Sequence, residues 1–354
     1  MRKKQLKSIN RKPHAIRRFL VDQVAKHPHD LVQIAMKKFG LTRPAVHRHL
    51  EKLISNGDII KEGSRRTTNY KLPGKKAGLF WSLDIGKEGD ESKIWERDFS
   101  PNVASYPKNI QEICYYGVTE MINNAIDHSQ GKQLTLSWND QGSEIEILVH
   151  DDGIGIFKKI SDSLKLKDPR EAILHLSKGK FTTDSKNHTG QGIFFTSRMF
   201  DSFSITSHEL VYMRTRAEND WLVETRKDSN IEGTAVSMTL DKHTKLKTID
   251  VFRQYEDDDH GFKKTDVFVK LAKLEEETYI SRSQARRLLL GLNKFKTVIL
   301  DFSDVRGVGQ GFVDEVFRVY KNAHPEVKIS YINANDDVEF MIRRGLADAS
   351  KENG

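Results

Sequence analysis

Cysteine occurs once in 354 residues, at Cys114. A lone thiol excludes an internal disulfide and any multi-cysteine metal site, and inside an apolar helical pattern it reads as a small core hydrophobe. No uninterrupted apolar run is long enough to cross a bilayer. The basic start, MRKKQLKSINRK, lacks the apolar stretch of a secretory signal, so the expected compartment is the cytoplasm. No GxxxxGK[ST] run occurs, which excludes a Walker phosphate loop. The length exceeds one typical core and predicts two or three domains.

The charge that is present is unevenly placed. The net charge is +8, yet residues 1–76 hold twenty Lys/Arg against five Asp/Glu, leaving the remainder at −7. Positive charge gathered in one terminal module points to nucleic acid, with a solvated basic tail or an anionic lipid surface as the other readings. Ile16, Phe19, Leu20 and Val24 share one helical face in AIRRFLVDQVAK. Asp30 is placed to cap a short second helix that stops at Gly40. Thr42 is placed to cap a third, with Pro44 in its first turn and Val46, Leu50 and Leu53 inward. Arg43, His47 and Arg48 then face outward, and DIIKEGSRRTTNYKL supplies two strand-like pieces around a basic tip.

This order over residues 8–76 resembles winged helix-turn-helix DNA-binding domains, which also serve as protein-interaction modules. The resemblance implies double-stranded DNA as partner, the third helix with Arg43, His47 and Arg48 in the major groove, and Arg65 and Arg66 of the wing on phosphate or minor groove. Pro73-Gly74-Lys75-Lys76 reads as a boundary. Residues 77–97 read as a connector, where alternation in FWSLDIGKEGDESKIWERDF suggests a hairpin or strands.

In residues 98–242 four polar interruptions recur at ordered distances. NIQEICYYGVTEMINNAIDHS is helical in pattern, its stripe formed by Ile113, Val118, Met121, Ile122 and Ala125, and Glu120 and Asn124 share another face. EIEILVHDDGIGI is a strand running into Asp151, Gly153 and Gly155, a spacing that suits close backbone approach to a flat ligand but that a plain β-turn also explains. A polar loop then closes with Gly190-Gln191-Gly192 before a helix, a ready anion site. IEGTAVSMTL is a strand with Gly233-Thr234 at its start.

Together these resemble the GHKL ATPase family, of Bergerat type, whose members include gyrase, histidine kinases and MutL. The resemblance implies an α/β sandwich that binds ATP with Mg²⁺. It implies Asn124 on the metal, Asp151 on the adenine amino group, and Gly153 and Gly155 shaping the pocket wall. Gly190 and Gly192 would cradle phosphate, Thr234 would sit behind the adenine, and Glu120 would be the general base. Lys178 and Lys180 either reach the phosphates or stay solvated. NAIDHS, with Asp127 and His128, resembles the helix end of histidine kinases and anti-sigma serine kinases, and a histidine at a helix C-terminus also suits the dipole. No dimerisation helix pair with a phosphoacceptor histidine precedes this segment.

Residues 262–350 alternate strand and helix, which predicts a compact α/β layer. VILDFSDVRGVGQGFVDEVF resembles STAS domains, and more closely a STAS-like group appended to GHKL ATPases. STAS antagonists carry a phosphorylated serine where this chain has Gly309 and Gln310, so the loop lacks that hydroxyl; Ser303 reads as local hydrogen bonding.

The expected fold is a multidomain α+β chain: winged helix-turn-helix, GHKL α/β sandwich, STAS-like α/β domain. The expected function is a DNA-binding transcriptional regulator whose Mg-ATP state controls conformation, with slow hydrolysis by Glu120. A protein serine/threonine kinase of the anti-sigma type acting on a separate STAS partner, and a non-hydrolysing nucleotide sensor, are the alternatives. A protein partner at the C-terminal module and a second copy of the chain are further expected partners; a membrane is not.

Overall fold

Apolar residues three and four apart build the first helices, as their spacing predicts. The computed structural model describes residues 13–55, 58–63, 68–72, 78–88, 90–180, 190–216, 221–225, 231–257, 261–272 and 279–352. It divides into two compact units, one comprising residues 1–81, 137–147 and 239–245, the other the remainder.

In the first unit α1 (Pro13–Val24), α2 (Leu31–Phe39) and α3 (Arg43–Ser55) precede an antiparallel pair, β1 (Ile60–Glu62) and β2 (Asn69–Lys71). Ile16, Leu20, Leu31, Val46, Leu50 and Leu53 are buried together, and Phe19 meets Phe39 edge-on at 5.3 Å. Gly40 ends α2 at φ 63°, a left-handed conformation that suits a residue without Cβ. Asp30 does not cap α2 through its side chain. Its carboxylate is taken by His27 Nδ1 at 3.0 Å, a local ion-pair geometry that competes with the cap. Arg65 and Arg66, and the boundary at 73–76, lie outside the described residues.

A seven-stranded sheet has the order β3-β4-β5-β9-β6-β7-β8. Its strands are β3 (Leu79–Asp84), β4 (Gln133–Gln141), β5 (Glu144–Asp151), β6 (Ser202–His208), β7 (Leu210–Thr215), β8 (Trp221–Thr225) and β9 (Ile231–Asp241). The crossover that sets β9 beside β5 brings Gly233 and Thr234 against Asp151, which sequence order keeps some eighty residues apart.

The connector, expected as a hairpin or strands, keeps one strand and is otherwise mainly helical among its described residues. Only Leu79–Asp84 is strand; short helical turns fill Ile85–Glu88, Glu91–Ile94, Trp95–Phe99 and Ser100–Val103, with Trp95–Phe99 a π turn. Asp90 accepts the N–H groups of Ser92 at 3.0 Å and Lys93 at 3.3 Å, starting the helix. Trp95 and Phe99, four apart, are buried and stack at 5.9 Å. Their spacing is helical, and helical turns follow the strand.

In the second unit α4 (Lys108–His128), α5 (Ile156–Leu164), α6 (Glu171–Lys178) and α7 (Gly192–Met199) accompany the sheet, followed by α8 (Thr248–Tyr255). A three-stranded parallel sheet then has the order β10 (Lys264–Phe268), β12 (Thr297–Asp301), β14 (Lys328–Ile332). Parallel neighbours require crossovers. These are supplied by α9 (Arg282–Leu289) and by the helical residues 310–323 (α10), while α11 (Asp336–Glu352) follows the last strand and packs against α10. A two-residue parallel pair, β11 (Tyr279–Ile280) with β13 (Gly307–Val308), completes the layer.

The C-terminal layer is fastened to α6 and α7. Arg198 in α7, with 2 % of its side chain exposed, pairs with Asp266 of β10 at 3.0 Å. Its guanidinium lies 3.3 Å from the centroid of Phe194. The charge of Arg198 holds the Asp266 carboxyl below its usual range against the opposing effect of burial. Thr265 donates its hydroxyl to the Lys178 carbonyl at 2.7 Å, and Phe194, Phe195, Tyr255 and Phe262 form an aromatic cluster around this seam.

Candidate functional site

Helix α4 buries one stripe and presents another. Ile113, Val118, Met121, Ile122 and Ala125 are buried, while Glu120, Asn124 and His128, each four residues on, line a cavity of about 330 Å³. Gly117 lets α4 approach closely: a Cβ there would lie 2.4 Å from Phe200 Cε2. That approach sets Glu120 against the start of α7. A Cβ at Gly192 would fall 2.0 Å from Glu120 Oε2.

The floor is the end of β5. Asp151 is 6 % exposed, and its Oδ1 accepts the Gly153 N–H at 2.9 Å. Burial pushes its carboxyl up from the ordinary range, opposed by the Gly153 N–H, nearby His150 and the Thr234 N–H. Thr234 Oγ1 accepts the Ile156 N–H at 3.0 Å, tying β9 to the first turn of α5. Gly233, at φ 75°, allows β9 to pass this turn: a Cβ would stand 1.9 Å from the Asp151 carbonyl oxygen. Gly155, at φ 84°, likewise leaves room for Ser207 and His208, whose Nε2 contacts the Ile154 carbonyl at 3.1 Å.

Glu120, Asn124, Asp151, Gly155, Gly190, Gly192 and Thr234 therefore converge on one cavity. Gly153 stands behind it. A Cβ at Gly153 would come within 2.1 Å of the Ser129 carbonyl oxygen, so this glycine seats the turn on the end of α4. Val149, Ile160, Leu176 and Val236 give the cavity apolar walls.

Lys178 and Lys180 are placed elsewhere. Lys178 is 3 % exposed and donates to the carbonyls of Arg287 at 3.0 Å and Leu290 at 3.1 Å, both in the C-terminal layer. Burial pushes it down to about 7. Lys180 donates to the Lys294 carbonyl at 2.8 Å, with its ammonium over Phe295 at 4.5 Å. Apolar rings and open carbonyls at the ends of helical turns draw both ammonium groups away from the cavity. The cavity instead receives Asn123, Ser129, Lys159 and Gln191, which sequence reasoning did not select. For Lys159 a signal existed: Ile156, Lys159 and Ile160 fall on one helical stripe, and all three line the cavity.

In the N-terminal unit Arg43 and Arg48 of α3 are exposed and His47 is half-buried, while Val46, Leu50 and Leu53 of the same helix are buried. Among the described residues no group of three or more His, Cys, Asp or Glu is arranged to hold a metal, and no helix is long and apolar enough to cross a membrane.

Donor chemistry at the site fits a nucleotide with Mg²⁺. A buried carboxylate between apolar walls suits a flat heterocycle bearing an amino group. At the other end, an amide oxygen and a carboxylate one helical turn apart are the hard oxygen donors that Mg²⁺ takes. Comparison with known families agrees. Residues 106–215 match the family model of a histidine kinase-like ATPase domain. Residues 284–339 match that of a STAS-like domain of unknown function. No curated protein matches the chain. The chain thus contains a histidine kinase-like ATPase domain, of a kind that binds ATP, followed by a STAS-like domain of a kind that suggests protein interactions.

Proposed function

We propose that the chain is a DNA-binding regulator whose central domain binds and slowly hydrolyses ATP. The observation that carries the enzymatic part is the convergence of Glu120 and Asn124 on α4 with Asp151 and Thr234 on the sheet floor, all lining one cavity. Asp151 accepts a hydrogen bond from the adenine amino group, and Thr234 holds the turn that carries it. Asn124 would hold the metal through its amide oxygen. Gly190 and Gly192 offer backbone N–H groups at the α7 N-terminus to phosphate. Mg-ATP supplies the transferable phosphoryl group and most of the charge compensation. Glu120 orients the attacking water and takes its proton; in phosphoryl transfer, such positioning with electrostatic stabilisation supplies most of the acceleration.

The DNA part is supported by the basic surplus of the N-terminal module and by exposed Arg43 and Arg48 on α3, followed by the β1–β2 pair. In a winged helix-turn-helix reading, α3 reads the major groove. The seam at Arg198–Asp266 and Lys178–Thr265 supports a path by which the nucleotide site and the STAS-like layer influence each other, since α6 and α7 line the cavity through Leu176 and Gly192. A partner of the STAS-like layer would act through this seam.

Steady-state phosphate release with Mg²⁺, wild type against Glu120→Gln, with and without duplex DNA, tests the proposal. Turnover that falls at least ~10²-fold in the variant, while ATP affinity is kept, is the expected result. Equal turnover removes Glu120 as the base. Transfer of labelled γ-phosphate to a protein instead of water would favour the kinase reading.

A further inference from the structure

The cavity contains two carboxylates, Glu120 and Asp151, and a nucleotide polyphosphate brings further negative charge into it. Lys178 and Lys180 do not offset that charge, because both ammonium groups are engaged by the C-terminal layer. Among the described lining residues, Lys159 is the one lysine, and no arginine joins it.

Lys159 is half-buried on α5, on the stripe it shares with the lining residues Ile156 and Ile160. Its Nζ donates to the His128 carbonyl at 2.7 Å. That oxygen is in the last turn of α4, where carbonyls have no helical partner and carry partial negative charge. Asn124 and His128 are one helical turn apart and both line the cavity. The ammonium therefore rests one turn along the same wall from the asparagine assigned to the metal. A neutral carbonyl is a weak acceptor for an ammonium that faces a cavity, and an anionic oxygen there makes a stronger, charge-assisted bond. Burial pushes Lys159 below the ordinary lysine range, with Asp127 opposing, so it gains from a further anion.

We propose that Lys159 is the cation that binds the nucleotide's phosphate chain, parked on the His128 carbonyl until phosphate arrives. This rests on the nucleotide reading of the cavity and adds a phosphate contact from α5, outside the glycine turns that reading uses. The alternative role is structural: Lys159 merely caps α4 through His128. The two differ in what they predict for ligands with and without phosphate.

Calorimetric titration with adenosine, ADP and ATP in Mg²⁺ separates them, using full-length wild type, Lys159→Met, Lys159→Arg and Asp151→Ala. Lys159→Met keeps the stem and removes the charge. It is expected to weaken ADP and ATP by about 10- to 100-fold and to leave adenosine unchanged, because one hydrogen bond to a charged group is lost. Lys159→Arg should recover most of the ADP and ATP affinity. Unchanged ATP affinity in Lys159→Met, or an equal loss for adenosine, overturns the proposal while leaving the nucleotide site standing. Wild type that binds no nucleotide, or Asp151→Ala that binds as tightly as wild type, overturns the nucleotide reading and this inference with it.

Discussion

Replacing Gly192 by alanine tests the geometry of the site more sharply than deleting any side chain. The new Cβ would lie 2.0 Å from Glu120 Oε2, 2.9 Å from its Cδ and 3.5 Å from its Cβ. A carbon and an oxygen rest about 3.3 Å apart even in their closest favourable contacts. The carboxylate must therefore move by more than about 1 Å, and it can, because it is the far end of a flexible side chain. Stability should change little, while the group assigned to water positioning is displaced. Misplacement on this scale lowers a rate by about 10²-fold. The expected outcome is a kcat for ATP hydrolysis reduced about 30- to 100-fold, with KM within a few-fold of wild type, read by phosphate release. A double-mutant cycle with Glu120→Gln assigns the cause. If the alanine acts through Glu120, adding it to Glu120→Gln lowers turnover little further. Wild-type kcat in Gly192→Ala, or complete additivity in the cycle, refutes the reasoning.

Two further outcomes follow from the electrostatics. Lys178, pushed down to about 7, sits well below the ordinary lysine value near 10.4, so between those values the unfolded chain binds more protons at this residue than the folded one. Its contribution to stability therefore rises with pH from about 7 to about 10, by up to about 1.4 kcal/mol per unit. Two carbonyl acceptors match the two N–H groups of a neutral amine. Urea midpoints at pH 7 and 9 should show a steeper rise for wild type than for Lys178→Met, and equal slopes would contradict the assignment. For the N-terminal module, Arg43→Ala and Arg48→Ala should each weaken duplex DNA binding and flatten its dependence on salt by about one unit of logarithmic slope, with ATP turnover retained. Unaltered binding in both would remove α3 as the reading helix.

Local pattern was enough to locate much of this molecule. Apolar spacing placed α1 to α4, glycine ended α2, and the Asp151-to-Gly155 and Gly190-to-Gly192 turns were visible as interruptions at element ends. These features depend on residues near one another in the chain, and backbone sterics and helical periodicity act over that range. In the connector the alternation did mark a strand, Leu79–Asp84, but not where it gives way to the helical turns in which Trp95 packs on Phe99.

The sequence by itself singled out Glu120, Asn124, Asp151, Thr234 and the two glycine turns, the residues proposed to carry the chemistry. Tertiary structure alone decided which cations face them. Lysines at 159, 178 and 180 look alike in sequence, each a charged group on a flexible stem. The fold sends Lys178 and Lys180 to carbonyls of the C-terminal layer, more than a hundred residues away, and leaves Lys159 on the cavity wall. The direction of a flexible ammonium is set by whichever acceptors and rings the packed chain brings within reach, and no local pattern encodes that distance.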